Sequence, residues 1–367
     1  MKIECLKDKL KEAVNLAEKV TGKNLTLPIL TTVLLEAKNK VLNIKATNLE
    51  IGLEIELPAK VEEDGIVAVN AQILANFLNN ISNENKVILT AENNNLKIST
   101  SSTNTTIKSF PAEDFPIIPR VEDDISFNLK ATDFISGLKS VMFAGAISDI
   151  KPEISSVYIY SMSNDLIFVA TDSFRLAEKK IQIKEKNNEI IPLIIPLKNI
   201  IEINRIFENI DGNLQINSNK NQISIFSDSI HLTSRIIDGV YPDYRQIMPS
   251  AFKTELVIKK DEIVNVLKLS NIFSDKFNQI DLHLVPAENL LEIKSSNQDV
   301  GDNDISLIVK IKGEPLDISF NVKYILDCLA IINKEEVMFN FCDKNKPLLI
   351  QKNNDQSFKY IIMPINK

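Results

Sequence analysis

The strongest constraint on this chain is that it repeats itself, at a period of about 125 residues. LNIKATNLEIGLEIEL (residues 42–57) is similar to LIFVATDSFRLAEKKI (166–181) and more weakly to LEIKSSNQDVGDNDISLIV (291–309), so that Thr47, Thr171 and Ser296 fall at equivalent places. A second family, VAVNAQILANFL (67–78), IIPLKNIIEINRIF (194–207) and SFNVKYILDCLAII (319–332), starts with strand spacing and turns into helix spacing at Asn70, Pro196 and Asn321. Beyond those turns, Ile73, Leu74, Phe77 and Leu78, then Ile200, Ile203 and Phe207, then Ile325, Cys328 and Leu329 each predict one apolar helix face. A third helical set lies near the start of each repeat, at residues 6–20, 131–144 and 259–273, with Asp133 and Asp261 expected as N-caps or first-turn acids.

Between the helices, apolar and polar residues alternate in short runs punctuated by Asn-Asn, Ser-Asn and Asp-Gly, as in residues 86–100 and 213–237, which predicts antiparallel hairpins. Clustered prolines at 110–124 and 239–253 mark the joints. The expected organisation is three α+β domains, 1–120, 125–249 and 252–367, each with two helices on antiparallel sheet. Six such half-units could form an arc, and two arcs meeting head to tail would close a ring with sheets outside and twelve helices inside.

Composition narrows the chemistry. Three cysteines, Cys5, Cys328 and Cys342, without a CxxC pair predict buried thiols rather than disulfides. Two histidines, His231 and His283, outside any ligand spacing argue against a metal centre, and Asp299, Asp302 and Asp304 miss the spacing of a calcium loop. No GxSxG, HExxH or GxxxxGK[ST] motif supports a hydrolase or nucleotide enzyme, so neither catalytic residues nor a cofactor is expected. Charged residues interrupt the N-terminal apolar run and no run is long enough for a membrane helix, so a cytoplasmic protein is expected. A net charge of -7 weighs against nucleic acid unless the acids and bases are segregated. A hydrolase built on scattered Asp, Ser and Thr residues, and a monomeric scaffold of α+β repeats that never meets DNA, are the competing readings.

Five runs in order, TLPIL (26–30), ATDSFRLA (170–177), DGVYPDYRQIMP (238–249), FNVKYILDCL (320–329) and YIIMPI (360–365), resemble the bacterial DNA polymerase III beta subunit family, the beta sliding clamps, along essentially the whole chain. The resemblance implies a non-enzymatic processivity factor, a head-to-tail homodimeric ring around double-stranded DNA held without sequence preference. Its implied partners are the polymerase alpha subunit, the clamp loader and other proteins with the same peptide motif. It further implies a hydrophobic pocket for a short peptide anchored by a leucine and an aromatic residue, at Ile154, Thr171, Arg175, Leu176, Pro242, Ile247, Tyr324, Ile361, Met363, Pro364 and Ile365. Read without the resemblance, residues 360–365 are simply a last strand. Ser173 and Phe174 stand where glycine and histidine are common in the family, and Gln246 where arginine is common, which implies a less polar and less basic rim. The tail ends Asn366-Lys367, unlike the family's usual arginine-leucine type.

DNA contact is implied at Lys198, with Arg205 nearby; Lys23 could replace the charge missing at Asn24, and Lys7, Lys11, Lys139 and Lys268 lie on other expected inner helices. The plain alternative for each is a solubilising surface charge. Such contacts would go to phosphates, which position without reading sequence. Ile272 and Phe273 match an apolar pair that meets a second subunit near Ile107.

Overall fold

The computed structural model describes every residue except 23–25, 83, 122–124, 147, 149, 184–191, 353–354 and 366–367. The first third runs β1 (Lys2–Leu6), α1 (Lys7–Val20), β2 (Thr32–Lys38), β3 (Val41–Thr47), β4 (Ile51–Pro58), β5 (Lys60–Glu63), β6 (Gly65–Asn70), α2 (Ala71–Asn80), β7 (Lys86–Glu92), β8 (Asn95–Ser99) and β9 (Asn104–Phe110). The central third follows with β10 (Ile125–Lys130), α3 (Ala131–Val141), β11 (Ser156–Met162), β12 (Asp165–Thr171), β13 (Arg175–Gln182), β14 (Leu193–Pro196), α4 (Leu197–Phe207), β15 (Asn213–Ser218), β16 (Gln222–Ser227) and β17 (Ile230–Arg235). The last third comprises β18 (Thr254–Lys259), α5 (Lys260–Ile272), β19 (Gln279–Val285), β20 (Leu290–Asn297), β21 (Gly301–Ile308), β22 (Lys310–Gly313), β23 (Leu316–Asn321), α6 (Val322–Ile331), β24 (Glu336–Phe341), β25 (Leu348–Lys352) and β26 (Asp355–Ile362).

The α+β expectation and the threefold repeat hold at the level of strand order. One four-stranded pattern occurs as β6-β2-β3-β4, β14-β11-β12-β13 and β23-β19-β20-β21; a second occurs as β1-β7-β8-β9, β10-β15-β16-β17 and β18-β24-β25-β26. In both patterns the strand that leads into a helix pairs with the first strand of a meander. All of the strand pairs are antiparallel.

The described residues divide into two compact units, one built from Met1–Ile135 and Lys198–Asp238, the other from the rest of the central third and Gly239 onward. The central third thus contributes one pattern to each unit. In the first unit β17 pairs with β4, His231 opposite Glu54; in the second β26 pairs with β13, Ile361 opposite Leu176.

The helices start where the turn chemistry places them. The Asn70 side chain accepts the N–H of Ile73, and that of Asn321 accepts those of Lys323 and Tyr324, satisfying orphan donors of the first turn. Pro196 closes β14 directly before α4. Asp133 and Asp261 are first-turn acids, the position before α5 being Lys259. The buried stripes are as expected except on α2, where Phe77 is half-buried and Ile73 is 54% exposed, because Leu74, Ala75 and Leu78 fill the inward face and Ile73 lies a helical step outside it. All three cysteines are free and buried. No helix among the described residues is long and apolar enough to cross a membrane.

Two packing features are specific enough to test. In α3, a methyl group on Gly137 would lie 2.5 Å from the ring of Phe168 on β12, so the missing side chain lets helix and strand approach. At the β4–β17 seam, the buried Glu54 meets Arg120 in an ion pair, with His231 Nδ1 at 3.5 Å and Lys45 at 3.9 Å. Burial alone would raise the Glu54 pKa, but the His231 ring and the Arg120 guanidinium outweigh it and lower the value to about 2.

Gly137→Ala should cost about 1–3 kcal/mol of stability, read as a lowered urea midpoint. The carboxylate of Glu54 stabilises the fold fully above the ordinary value of 4.5, and that contribution is lost as pH falls toward 2. Glu54→Gln should therefore destabilise the protein at neutral pH and flatten the fall of its urea midpoint over that acid window, compared with wild type.

Candidate peptide-binding site

Of the expected pocket residues, Thr171, Ser173, Phe174, Arg175, Leu176, Tyr324, Ile361 and Met363 are connected around the turn between β12 and β13. Thr171 Oγ1 donates to the Arg175 carbonyl at 2.6 Å and accepts the Ser173 N–H at 3.1 Å. Asp172 Oδ1 accepts the N–H groups of Phe174 and Arg175, both at 2.9 Å. These bonds hold Ser173 at φ +78°, a left-handed conformation uncommon for a side-chain-bearing residue. The same turn occurs in the first unit, where Thr47 and Asn48 make the equivalent bonds around Leu49 at φ +75°. A short polar side chain that satisfies its own turn is why Thr-Asn and Thr-Asp recur there.

Arg175 fastens this turn to α6. Its Nε donates to Asp172 at 2.8 Å, its Nη1 to Asp327 at 2.6 Å, and its guanidinium lies 4.4 Å from the Tyr324 ring centroid and 5.9 Å from that of Phe143. The side chain is only 12% exposed and its Nε and Nη1 are engaged, so Arg175 supports the turn from beneath. Asp172, Asp327 and Phe143 were not foreseen. The Thr-Asn/Asp repeat pointed to Asp172, but nothing local in sequence ties Asp327 to a residue 152 positions away.

The C-terminal segment joins the same place. Leu176 and Ile361 are buried partners across the β13–β26 ladder, the Met363 N–H donates to the Phe174 carbonyl at 2.8 Å, and Tyr360 Oη donates to the Tyr324 carbonyl at 3.0 Å. The expectation of a last strand and that of a pocket wall are thus compatible, since β26 ends at Ile362 and Met363 onward leaves the ladder. Met363 is 38% exposed and Ile247 47%; with Gln246, Met248, Phe252, Cys342 and Pro347 among their neighbours, they line a cavity of about 500 Å³. Gln246 is held by Asp243 at 2.9 Å. The 238–249 run is seated by Tyr244, whose hydroxyl lies 2.7 Å from both Glu178 and the Tyr160 hydroxyl, and by Tyr241 stacked on Tyr158.

Other expected residues sit apart from that cavity. Ile154 is half-buried in the turn before β11, Pro242 is exposed, and neither is a wall of it. Pro364 is half-buried, and Ile365, whose N–H donates to Ser319 on β23, lines a different, highly charged cavity of about 610 Å³ with Asp281, His283, Lys294 and Asp317. Asn366 and Lys367 lie outside the described residues.

For nucleic acid, Lys198 is exposed on the first turn of α4 and makes no ion pair among the described residues, whereas Arg205 is bridged to Glu202 at 2.8 Å on the same helix. Lys139 and Lys268 are exposed; Lys11 is half-buried, and Lys7 is 12% exposed and paired with Asp8 at 2.9 Å, which leaves it little free surface. Lys23 and Asn24 lie outside the described residues. Of the apolar pair, Ile272 is 60% exposed and Phe273 half-buried. Ile107 is 6% exposed: strand alternation turns it inward and leaves Thr106 and Lys108 outside.

One constellation has the connectivity of a catalytic triad. His231 Nδ1 faces Glu54, while Nε2 lies 3.1 Å from Thr233 Oγ1 and 3.5 Å from Ser224 Oγ. All four residues are buried, Thr233 donates to the Pro119 carbonyl, and Ser224 accepts the Val121 N–H, so the hydroxyls are spent on holding residues 119–121 to the sheet. A hydrolytic reading has no open nucleophile there. No group of His, Cys, Asp and Glu suited to a metal occurs among the described residues.

Comparison with known proteins agrees along the whole length. Family models described as the N-terminal, central and C-terminal domains of the DNA polymerase III beta subunit match residues 1–119, 128–243 and 245–366. The beta sliding clamp of Synechococcus elongatus is 26% identical over 375 residues, covering 100% of this chain and 99% of that protein. The crystal structure of the Thermotoga maritima beta subunit superposes with a TM-score of 0.94 at 27% identity, covering 100% and 99%. That of the Pseudomonas aeruginosa sliding clamp bound to griselimycin superposes with a TM-score of 0.95 at 25% identity, covering 100% of both. With three successive domain models matched in order, the repeated strand pattern is that of a clamp, and the chain belongs to the DNA polymerase III beta subunit family.

Proposed function

We propose that the chain is a DNA polymerase processivity clamp: a non-catalytic subunit, two copies of which close head to tail around duplex DNA, holding the polymerase alpha subunit, the clamp loader and other motif-bearing proteins through the β12–β13 pocket. The observation that carries the ring is a rule of strand pairing. The last strand of one third pairs with the fourth meander strand of the third before it, β17 with β4 and β26 with β13. By the same rule β9, the last strand of the first third, calls for β21, the fourth of the last. β21 ends its sheet, and between Asn104 and Lys108 no described strand pairs with the second edge of β9.

Two copies related head to tail satisfy both edges at once. Charge fits the pairing, since exposed Asp302 on β21 would face the side of exposed Lys97 and Lys108 on β8 and β9, while Asp304 is already bridged to Lys294 at 3.2 Å. Beside β21, the exposed apolar surface of Leu269, Ile272 and Phe277 would be covered by the same contact. For DNA, a few lysines such as Lys198, together with an α2 face of Gln72, Ile73, Asn76 and Asn79 that carries no charge, favour loose phosphate contact over tight binding. A ring needs topology more than affinity.

Loaded on closed circular DNA, the protein should stay bound and should slide off once the circle is cut; equal retention on linear DNA would rule out a ring. Changing Ile272 and Phe273 to Asp should give folded monomers by native mass, and a dimer that persists at low concentration would refute that interface. Ending the chain at Ile362 should abolish binding of a peptide with leucine and phenylalanine anchors while leaving the dimer intact, and unchanged affinity would refute the pocket.

A further inference from the structure

The turn that carries the pocket is unusual in what it leaves uncovered. Phe174 is 62% exposed, although its backbone is fixed on every side: its N–H is held by Asp172, its carbonyl by Met363, and the next residue by Asp172, Asp327 and Tyr324. No ring or cation among the described residues stacks on it. The duplicated turn of the first unit supplies an internal control. There Glu50 occupies the place of Phe174, and its carbonyl accepts the Arg235 N–H as that of Phe174 accepts the Met363 N–H. Yet the Glu50 carboxylate has an internal partner, Arg235 Nη1 at 3.6 Å. The same backbone thus presents a paired acid at one seam and an unpaired aromatic ring at the other.

A large ring on a fixed backbone is a partly preorganised half of a contact, because only its two side-chain torsions remain to be ordered when something covers it. Met363, joined to Phe174 by a backbone hydrogen bond, is also an exposed apolar side chain, and it lines the cavity of about 500 Å³ together with the exposed Ile247. Resting on the pocket reading above, we infer that Phe174 selects partner peptides with an apolar or aromatic side chain beside the leucine and aromatic anchors, against peptides with a polar or acidic one there. The bare ring offers such a side chain area and an edge-to-face partner, and offers a carboxylate or hydroxyl nothing to bond.

The test uses fluorescence anisotropy with labelled ten-residue peptides that share the leucine and phenylalanine anchors and carry Leu, Phe, Ser or Asp at one adjacent position. Each adjacent position is scanned in turn, against the intact protein and its Phe174→Ser and Phe174→Tyr variants. At one adjacent position wild type should bind the Phe and Leu peptides roughly three- to tenfold more tightly than the Ser and Asp peptides. Phe174→Ser should level that ratio by weakening the Phe and Leu peptides more than the Ser and Asp peptides, and Phe174→Tyr should restore the preference. Equal affinities across the series in wild type, or a preference that survives Phe174→Ser, would overturn the inference with the pocket itself intact. A wild-type protein that binds none of the peptides would overturn the pocket reading and this inference with it.

Discussion

Two antiparallel seams, β4–β17 and β13–β26, are the constraint on which the rest depends. Each joins strands from different thirds of the chain through five successive residue pairs, so neither can form until distant segments have met. The side chains along them differ in kind. The first seam is pinned by ions and hydroxyls, with Glu54, Arg120 and His231 at its centre, and the second by Leu176, Ile361 and the guanidinium of Arg175 clamped beneath. Removing one partner of a buried ion group leaves the other uncompensated, which makes the first seam the more sensitive to acid.

Duplication also explains how a site arises from a structural joint. The Thr-Asn and Thr-Asp turns perform one task, capping a hairpin beside a seam, and the backbone bonds are the same in both. What differs is whether the surrounding side chains close over the turn or leave it open. Beside Phe174 the exposed Met363 is bonded to its carbonyl, and Arg175 bonds Asp172 and Asp327 beneath. The result is an exposed apolar side chain on a hydrogen-bonded turn, the kind of surface that the proposed recognition of short flexible segments would use.

Much of this was legible in the sequence because it is periodic or local. The repeat located the helices, the asparagines at 70 and 321 cap α2 and α6, and the alternating runs are hairpins. Side-chain orientation was less so. Ile73 belongs to an apolar stretch yet faces out, Ile107 faces in, and Lys7 is covered, since each depends on which neighbour fills the inward stripe. The Arg175–Asp327 bond and the seams themselves join residues far apart in the chain, and no short-range pattern encodes them.

The charges on the free strand edges bear on what a lone subunit would do. With Asp302 exposed on β21 and Lys108 exposed on β9, two like edges would gain nothing from charge and two unlike edges would attract. An exposed edge is ordinarily an invitation to indiscriminate stacking into fibres, but here an opened subunit would be biased toward rejoining the opposite end of a mate. Under the proposed head-to-tail pairing, the same sign asymmetry would also guard a separated subunit against aggregation.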